Sequence, residues 1–238
     1  MSNDYFRFKQ FTVKQDRTAM KVGIDSVLLG AWTAVSGSEK NVLDIGTGVG
    51  LLALMMAQKI PGATITACEI DENACEQARE NILSSKWNER ITVVNADIRT
   101  FTQNLKGFDL IICNPPYFEK SLKSLDSKRN IARHNDCLPF SDLIDCVHRL
   151  LSDNGRFVLI VPNDKASIIT DLAAGKNLFP MRRLNIKPTE TKPVNRVILE
   201  LACTSQPPEE YSLTVRTGNG YSDEYKSLTK DFYGCTTK

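Results

Sequence analysis

The stretch NVLDIGTGVG at residues 41–50 decides the predicted fold of this chain. Its first five residues are typical of a short buried strand, and Gly46, Gly48 and Gly50 end that strand in a turn. The next segment, LLALMMAQKI, is typical of a buried helix, and ATITACEI of a second strand. This order predicts a βαβ unit, in which the two strands lie parallel in one sheet.

The alternation continues along the chain. DENACEQARENILSS, capped by Asp71, and FSDLIDCVHRLLSDNG, running from near Ser141 to Gly155, predict helices. RITVVNAD, FDLIICN and RFVLIVP predict strands, and MRRLNIKP with NRVILELACT predicts an antiparallel hairpin at the sheet's edge. We therefore predict an α/β fold: a doubly wound, mostly parallel sheet of seven strands that ends in an antiparallel C-terminal hairpin.

Composition excludes several classes of protein. The 238 residues suit one domain, and 42% apolar with 24% charged residues exclude a disordered chain. The N-terminus is polar and no run of eighteen apolar residues occurs, so we expect neither export nor a membrane partner. Seven cysteines without a C-x-x-C pair predict reduced thiols in the cytoplasm and no metal site.

The glycine turn predicts a cofactor site. Glycines there let the backbone approach a ligand closely, and Glu69 ends the second strand, where a carboxylate can accept hydrogen bonds from ribose hydroxyls. A dehydrogenase is the alternative, but the spacing is G-x-G-x-G and Asp44 stands directly before the turn. A carboxylate is unfavourable beside a pyrophosphate and favourable beside the positive charges of S-adenosylmethionine.

The third strand ends at a further candidate for this site. Asp97 could accept a hydrogen bond from the adenine amino group, because ligands of such sheets bind beyond the carboxyl ends of the strands. The alternative is that Asp97 caps a helix in DIRTFTQN. We assign the neighbouring Ile70 and Ile98, and Asn114 after the fourth strand, to the same cofactor site.

The tetrapeptide Asn114-Pro115-Pro116-Tyr117 follows the fourth strand and is the candidate catalytic motif. Consecutive prolines restrict the backbone, so that the turn presents carbonyl oxygens in a fixed direction. The Asn114 amide oxygen and the Pro115 carbonyl can together accept both hydrogens of one amino group, which directs its lone pair toward a methyl donor. Tyr117 offers a flat face on which a planar acceptor can stack.

Taken together, DIGTGVG, ACEID, NAD and NPPY resemble the class I S-adenosylmethionine-dependent methyltransferases that act on planar amino groups. This resemblance leaves adenine, guanine and glutamine acceptors open. The flanks FRFKQFTVKQDRTAMKVGIDSVLLGAW and YSDEYKSLTKDFY, with ARH in the middle, resemble the bacterial tRNA1(Val) (adenine(37)-N6)-methyltransferase family. That resemblance implies methylation of adenine N6 in a tRNA anticodon loop, with S-adenosylhomocysteine as the second product.

The family resemblance also implies that Lys21, Gly23, Asp25 and Ser26 close the pocket over the methionine end of the cofactor. The same residues equally suit a β-turn and a helix cap. Basic side chains after the fourth strand are candidates for RNA binding, because they could neutralise phosphates. The alternative is that they form an ordinary charged surface exposed to solvent. The set is Lys120, Lys123, Lys128, Arg129 and Arg133, with His134 beside them.

We expect a monomer with one methyltransferase domain over residues 1–238. Residues 1–40 would form the closing segment, 41–203 the catalytic core and 204–238 a C-terminal extension. Two rival functions remain: glutamine N5-methylation of a peptide release factor, and RNA binding by a noncatalytic module. Intact Asp44, Glu69, Asp97 and NPPY argue against the second.

Overall fold

The computed structural model describes residues 4–18, 21–101, 107–116 and 138–233. The strands are β1 (Tyr5–Arg7), β2 (Thr12–Lys14), β3 (Asn41–Ile45), β4 (Thr64–Glu69), β5 (Ile91–Asn95), β6 (Phe108–Cys113), β7 (Leu151–Pro162), β8 (Phe179–Thr189), β9 (Arg196–Ala202), β10 (Glu209–Thr217) and β11 (Gly220–Tyr221). The helices are α1 (Ile24–Trp32), α2 (Leu51–Lys59), α3 (Glu72–Leu83), α4 (Phe140–Leu150), α5 (Ala166–Ala174) and α6 (Asp223–Thr229). No helix among these is long and apolar enough to cross a bilayer.

One large sheet carries the architecture, in the order β11-β10-β8-β9-β7-β6-β3-β4-β5. Strands β5, β4, β3, β6 and β7 are all parallel, so their carboxyl ends meet at one edge. Helices α1, α2 and α6 pack over one apolar core, and α4 and α5 over a second core on the other face. Helices on both faces of a parallel sheet confirm the predicted doubly wound α/β class.

The sheet differs from the predicted one at its C-terminal side. It has nine strands in the described chain where seven were predicted, because β10 and β11 extend it beyond the hairpin. The antiparallel pairing of β8 with β9 is as predicted, but its position at the edge is wrong. Strand β9 also pairs antiparallel with β7, and β10 pairs parallel with β8, so the hairpin lies inside the sheet. The alternating apolar residues of β10, Leu213 and Val215, were not recognised as a strand signal, although both are buried.

The predicted end of α4 near Gly155 is also wrong. The helix ends at Leu150, and residues 151–155 already belong to β7. The pairing with β6 is irregular here, since Phe108 faces Leu151 but Leu110 faces Arg156. A Cβ at Gly155 would lie 2.7 Å from the Phe108 carbonyl oxygen. Glycine therefore permits close approach of two strands and does not mark a helix end.

The first and last described segments of the chain pack against each other beside the main sheet. The two-stranded β1–β2 hairpin places Phe8 in contact with the rings of Phe11 and Tyr233, with centroids 4.7 and 5.8 Å away. The backbone N–H of Lys9 donates to the Phe232 carbonyl at 2.8 Å. The N-terminal hairpin and the segment after α6 thus pack together on the face of the sheet that α1 and α2 cover.

Candidate active site

The glycine turn joins β3 to α2 at the carboxyl edge of the sheet. Gly46, Gly48 and Gly50 have φ values of 68°, 57° and 85°, a region that L side chains rarely adopt. A Cβ at Gly46 or Gly48 would meet no atom within 4 Å, whereas one at Gly50 would lie 3.5 Å from Ala78 of α3. The first two glycines therefore face open space, and the third permits close helix packing.

Asp44 lies beneath this turn and is fully buried. Its Oδ2 accepts hydrogen bonds from Thr47 Oγ1 at 2.5 Å and from the Ala53 N–H at 3.1 Å. Its Oδ1 has no hydrogen-bond partner in the described part of the chain. Burial raises the pKa of Asp44 to about 7, although the two hydrogen bonds oppose the rise. The carboxyl group braces the turn and the first turn of α2, and it is absent from the walls of both cavities described below.

Glu69 ends β4 and holds the turn from the opposite side. Its Oε2 accepts the Gly48 N–H at 2.8 Å. Its Oε1 accepts the N–H groups of Ile70 and Asp71 at 2.9 and 3.0 Å. A carboxylate has about four acceptor positions, so three bonds leave Oε2 able to accept one more.

Two adjoining cavities open at this edge of the sheet. The first measures about 160 Å³ and runs from the glycine turn toward β5 and β6; its lining includes Glu69, Ile70, Asp97, Ile98, Arg99 and Leu138. The second measures about 380 Å³ and lies between the glycine turn and α1; its lining includes Lys21, Gly23, Asp25, Ser26, Thr47 and Leu51. Both share five residues: Gly46, Gly48, Asn114, Pro115 and Pro116.

Asp97 lines the first cavity and is paired with Arg99. The guanidinium donates from Nε to Oδ1 at 3.0 Å and from a terminal nitrogen to Oδ2 at 2.5 Å. These bonds hold the pKa of Asp97 below its usual value. Asp97 also caps the turn that follows it, since its Oδ1 accepts the Arg99 N–H at 2.9 Å and its carbonyl oxygen accepts the Phe101 N–H at 3.0 Å. The next five residues, 102–106, lie outside the described part of the chain, so both predicted roles of Asp97 stay predictions. Arg99, which sequence reasoning missed, orients this carboxylate.

The diproline segment follows β6 directly and separates the two cavities. Asn114 is half-buried, and its Nδ2 donates to Ser26 Oγ at 2.8 Å. Ser26 lies in the first turn of α1, so this bond ties the N-terminal segment to the carboxyl end of β6. Both residues were predicted for the cofactor site, but their contact joins positions 88 residues apart and has no signal in the sequence.

Helix α1 is anchored a second time, to β9. Asp25 Oδ2 accepts a hydrogen bond from Arg196 Nε at 3.0 Å. Before α1, Lys21 Nζ lies 3.8 Å from an Asp4 carboxylate oxygen, and the Val22 N–H donates to Gln15 Oε1 at 2.8 Å. The contact with Asp25 could not be read from the sequence.

The carboxylates that line the two cavities are therefore all engaged within the described chain. Glu69 is bonded to backbone N–H groups, Asp97 to Arg99 and Asp25 to Arg196. The thiols of this region are unreactive as well, since burial raises the pKa of Cys68 to about 12 and that of Cys113 well above its usual value. Among the described residues, the two cavities therefore offer no group poised to remove a proton.

Part of the predicted site lies outside the described residues. This holds for Tyr117 of the tetrapeptide and for the predicted RNA-binding set, which is Lys120, Lys123, Lys128, Arg129, Arg133 and His134. Their predicted roles stay predictions.

Comparison with known proteins gives matches of two kinds. The family model of the methyltransferase small domain matches residues 21–173. A tRNA1(Val) (adenine(37)-N6)-methyltransferase from Bacteroides fragilis is 47% identical over 98% of this chain and 99% of its own length. One of the same name from Trichodesmium erythraeum is 44% identical over 98% of this chain and 99% of its own.

Among solved structures, a predicted O-methyltransferase from Agrobacterium tumefaciens aligns with a TM-score of 0.66, covering 87% of this chain and 96% of its own. Its sequence identity is 18%, so this likeness concerns the fold alone.

Proposed function

The chain belongs to the tRNA1(Val) (adenine(37)-N6)-methyltransferase family, and from this premise we propose that it methylates N6 of adenine-37 in the anticodon loop of that tRNA, yielding N6-methyladenosine. The methyl donor is S-adenosylmethionine, which supplies an electrophilic methyl group on a sulfonium. One observation carries the proposal: Asn114, Pro115 and Pro116 form a wall common to both cavities. An amino group held at this wall would face a ligand in either cavity.

The residues present fit an adenosine-containing cation. Glu69 Oε2 can accept one further hydrogen bond, and Ile70, an apolar side chain 51% exposed at the first cavity, suits a flat base. The open space over Gly46 and Gly48 admits a ligand against the backbone. Oδ1 of buried Asp44, which has no partner among the described residues, leaves an acceptor beneath the turn. We assign the first cavity to the adenosine and the second, with Lys21, Gly23, Asp25 and Ser26, to the methionine end.

Asn114 and Pro115 orient the acceptor in this proposal. Their two carbonyl oxygens accept the hydrogens of one amino group and hold its lone pair in line with the methyl donor. Pro116 stiffens the bend, and Tyr117 stacks the base. The amino nitrogen becomes more acidic as it is methylated, so its proton leaves to solvent without a base. Orientation alone can lower such a barrier by roughly 7–11 kcal/mol.

The remaining parts of the proposal concern the partner. The basic residues of 120–133 and His134 bind phosphates of the RNA, which suits a single-stranded loop whose target base turns out easily. We further propose a cytoplasmic monomer that acts as one domain over residues 1–238. The packing of Phe8 and Phe232 in the same core as α1 supports the single domain.

The test is methylation of an unmodified tRNA1(Val) transcript with tritium-labelled donor, followed by nucleoside analysis. We expect one N6-methyladenosine per transcript, and no label in a transcript carrying guanosine at that position. Label in the second transcript, or in none, contradicts the proposal.

The same assay separates the two rivals. A peptide release factor incubated with enzyme and labelled donor should stay unlabelled, because label in protein and not in RNA would indicate glutamine methylation. Binding of the transcript without any transfer would indicate a noncatalytic module. Nucleoside analysis of tRNA from cells lacking the protein should show the loss of one N6-methyladenosine.

A further inference from the structure

All described hydrogen bonds to the side chain of Asp97 come from one residue, Arg99. Its backbone N–H donates to Oδ1 at 2.9 Å, its Nε lies 3.0 Å from Oδ1 and 2.9 Å from Oδ2, and a terminal nitrogen donates to Oδ2 at 2.5 Å. A guanidinium only donates and an ionised carboxyl group only accepts, so the direction of each bond is fixed by chemistry. The two planar groups pair side by side, which holds the carboxylate in one orientation.

The paired carboxylate keeps room for one further donor. An ionised carboxyl group has about four acceptor positions, and three N–H groups of Arg99 occupy three of them. Asp97 and Arg99 both line the first cavity, which the proposed function assigns to the adenosine. The amino group of an adenine in that cavity can donate one hydrogen to the remaining position.

We propose that Arg99 is a positioning residue that gives the donor site its preference for adenine over hypoxanthine. This inference rests on the proposed function, through the assignment of the first cavity, and deepens it. Adenine carries an amino group at C6, which donates to a carboxylate. Hypoxanthine carries an oxygen at C6, so two acceptors would meet at Asp97 and neither would be satisfied. The preference requires an acceptor at a fixed place, and the Arg99 fork keeps it there.

The turn that carries Arg99 is itself held in place. The carbonyl oxygen of Asp97 accepts the Phe101 N–H at 3.0 Å, which closes the turn. From α4, Arg149 donates to the Arg99 carbonyl at 3.4 Å, and an Asp142 carboxylate oxygen lies 3.9 Å from a terminal nitrogen of Arg99. The guanidinium therefore has a carboxylate on two sides, one at the cavity and one in the first turn of α4.

Two alternative roles of Arg99 make different predictions. As an ordinary surface ion pair, Arg99, whose side chain is 44% exposed, would have no effect on ligand binding. As a direct contact to the donor, it would act equally on ligands with and without the amino group. Only positioning through Asp97 changes the difference in affinity between the two kinds of ligand.

The experiment measures the dissociation constants of S-adenosylhomocysteine and S-inosylhomocysteine by calorimetry. We expect the wild type to bind the adenosine compound at least about tenfold more tightly, the usual size of a hydrogen bond to a charged group. In Arg99→Ala this ratio should fall to within about threefold. Arg99→Lys keeps a positive charge without the planar fork, so its ratio should stay close to that of Arg99→Ala.

Arg183→Ala is the matched control. Arg183 also donates from its guanidinium to two side-chain oxygens, those of Asn185 and Asn163, and it lines neither of the two described cavities. Its substitution should leave both dissociation constants at their wild-type values. Thermal denaturation of the variants should show that each is folded at the temperature of the calorimetry.

Asp97→Ala tests the path of the effect. It should lower the ratio as Arg99→Ala does, and combining the two substitutions should lower it no further. Four results would overturn the positioning role: a wild type without the preference, an unchanged ratio in Arg99→Ala, equal weakening of both ligands, or additive losses in the double variant. A ratio restored by Arg99→Lys would also overturn it, since charge alone would then suffice. None of these results decides methyl transfer to tRNA by the wild-type enzyme, which tests the proposed function separately.

Discussion

Asp44 combines two properties at the centre of the site. Its buried carboxyl group accepts the Thr47 hydroxyl and the Ala53 N–H, which stabilise the glycine turn, and its other oxygen is unpartnered in the described chain. Burial of an incompletely bonded carboxylate is costly, and the raised pKa expresses that cost. Near neutral pH the ionised form of this buried carboxyl group therefore lowers the stability of the folded protein.

The stability of the protein should consequently depend on pH through Asp44. The folded state holds this proton up to about pH 7, whereas an unfolded chain releases it near 3.8. The contribution to the free energy of unfolding is therefore fully present below about pH 4 and is lost as the pH rises through 7. A shift of this size corresponds to at most roughly 4 kcal/mol.

The substitution Asp44→Asn removes the titratable carboxyl group and keeps the shape of the side chain. Urea unfolding of wild type and variant between pH 4.5 and 8 should show the variant gaining stability relative to the wild type as the pH rises. Parallel stability curves would refute the assignment of the raised pKa.

Asn114 carries the second prediction at this scale. Asn114→Ala removes the amide oxygen that orients the acceptor, so we expect the single-turnover rate to fall by roughly 100-fold or more. The donor affinity, measured by calorimetry, should change little. Asn163→Ala serves as the control, because Asn163 is an exposed asparagine after β7 whose side-chain oxygen accepts from Arg183, away from both cavities. A single-turnover rate of Asn114→Ala close to that of the wild type would contradict the orienting role of Asn114.

At the scale of the element, the glycine turn combines two features: backbone with positive φ, and open space around two of its glycines. Gly48 and Gly37 share a positive φ, 57° and 80°, and a Cβ at either would meet nothing within 4 Å. They differ in position, since Gly37 precedes β3 at the opposite edge of the sheet. Substituting each glycine in turn therefore separates the effect of backbone strain from the effect of contact with the ligand.

Gly48→Ala and Gly37→Ala should each lower the free energy of unfolding by about 1 kcal/mol, because alanine is strained at positive φ. Only Gly48→Ala should also weaken donor binding, by about tenfold or more, since its Cβ would project into the cavities. Thermal denaturation and calorimetry measure the two effects. Equal donor affinities in both variants would place the ligand elsewhere.

At the scale of the whole molecule, the two flanks act together. Asn81 of α3 accepts the Lys14 N–H and donates both to the Lys14 carbonyl and to the Val49 carbonyl of the glycine turn. The N-terminal hairpin is thus connected to the cofactor site on one side. On the other it packs through Phe8 against Tyr233 near the C-terminus.

Phe8→Ala should therefore affect both stability and binding. Loss of a buried aromatic ring typically costs about 3–5 kcal/mol, and loosening the hairpin should weaken donor affinity through Asn81. Tyr5→Ala on the same hairpin removes a ring that is 54% exposed and should change neither quantity much. Urea denaturation and calorimetry provide the comparison. A destabilised Phe8→Ala with unchanged donor affinity would show that the hairpin is not coupled to the site.

The sequence by itself determined the α/β class, the βαβ start, the Asp71 helix cap and the family, because those depend on local periodicity, turn residues and motifs. Asp71 indeed accepts the Ala74 N–H at the start of α3. Tertiary structure alone decided that β9 lies between β7 and β8, and that Arg99 holds Asp97. It also decided which residues meet across the site: Ser26 with Asn114, and Asp25 with Arg196, 171 positions later. Local sequence pattern says nothing of such contacts, because they arise only when the folded sheet brings distant strand ends to one edge.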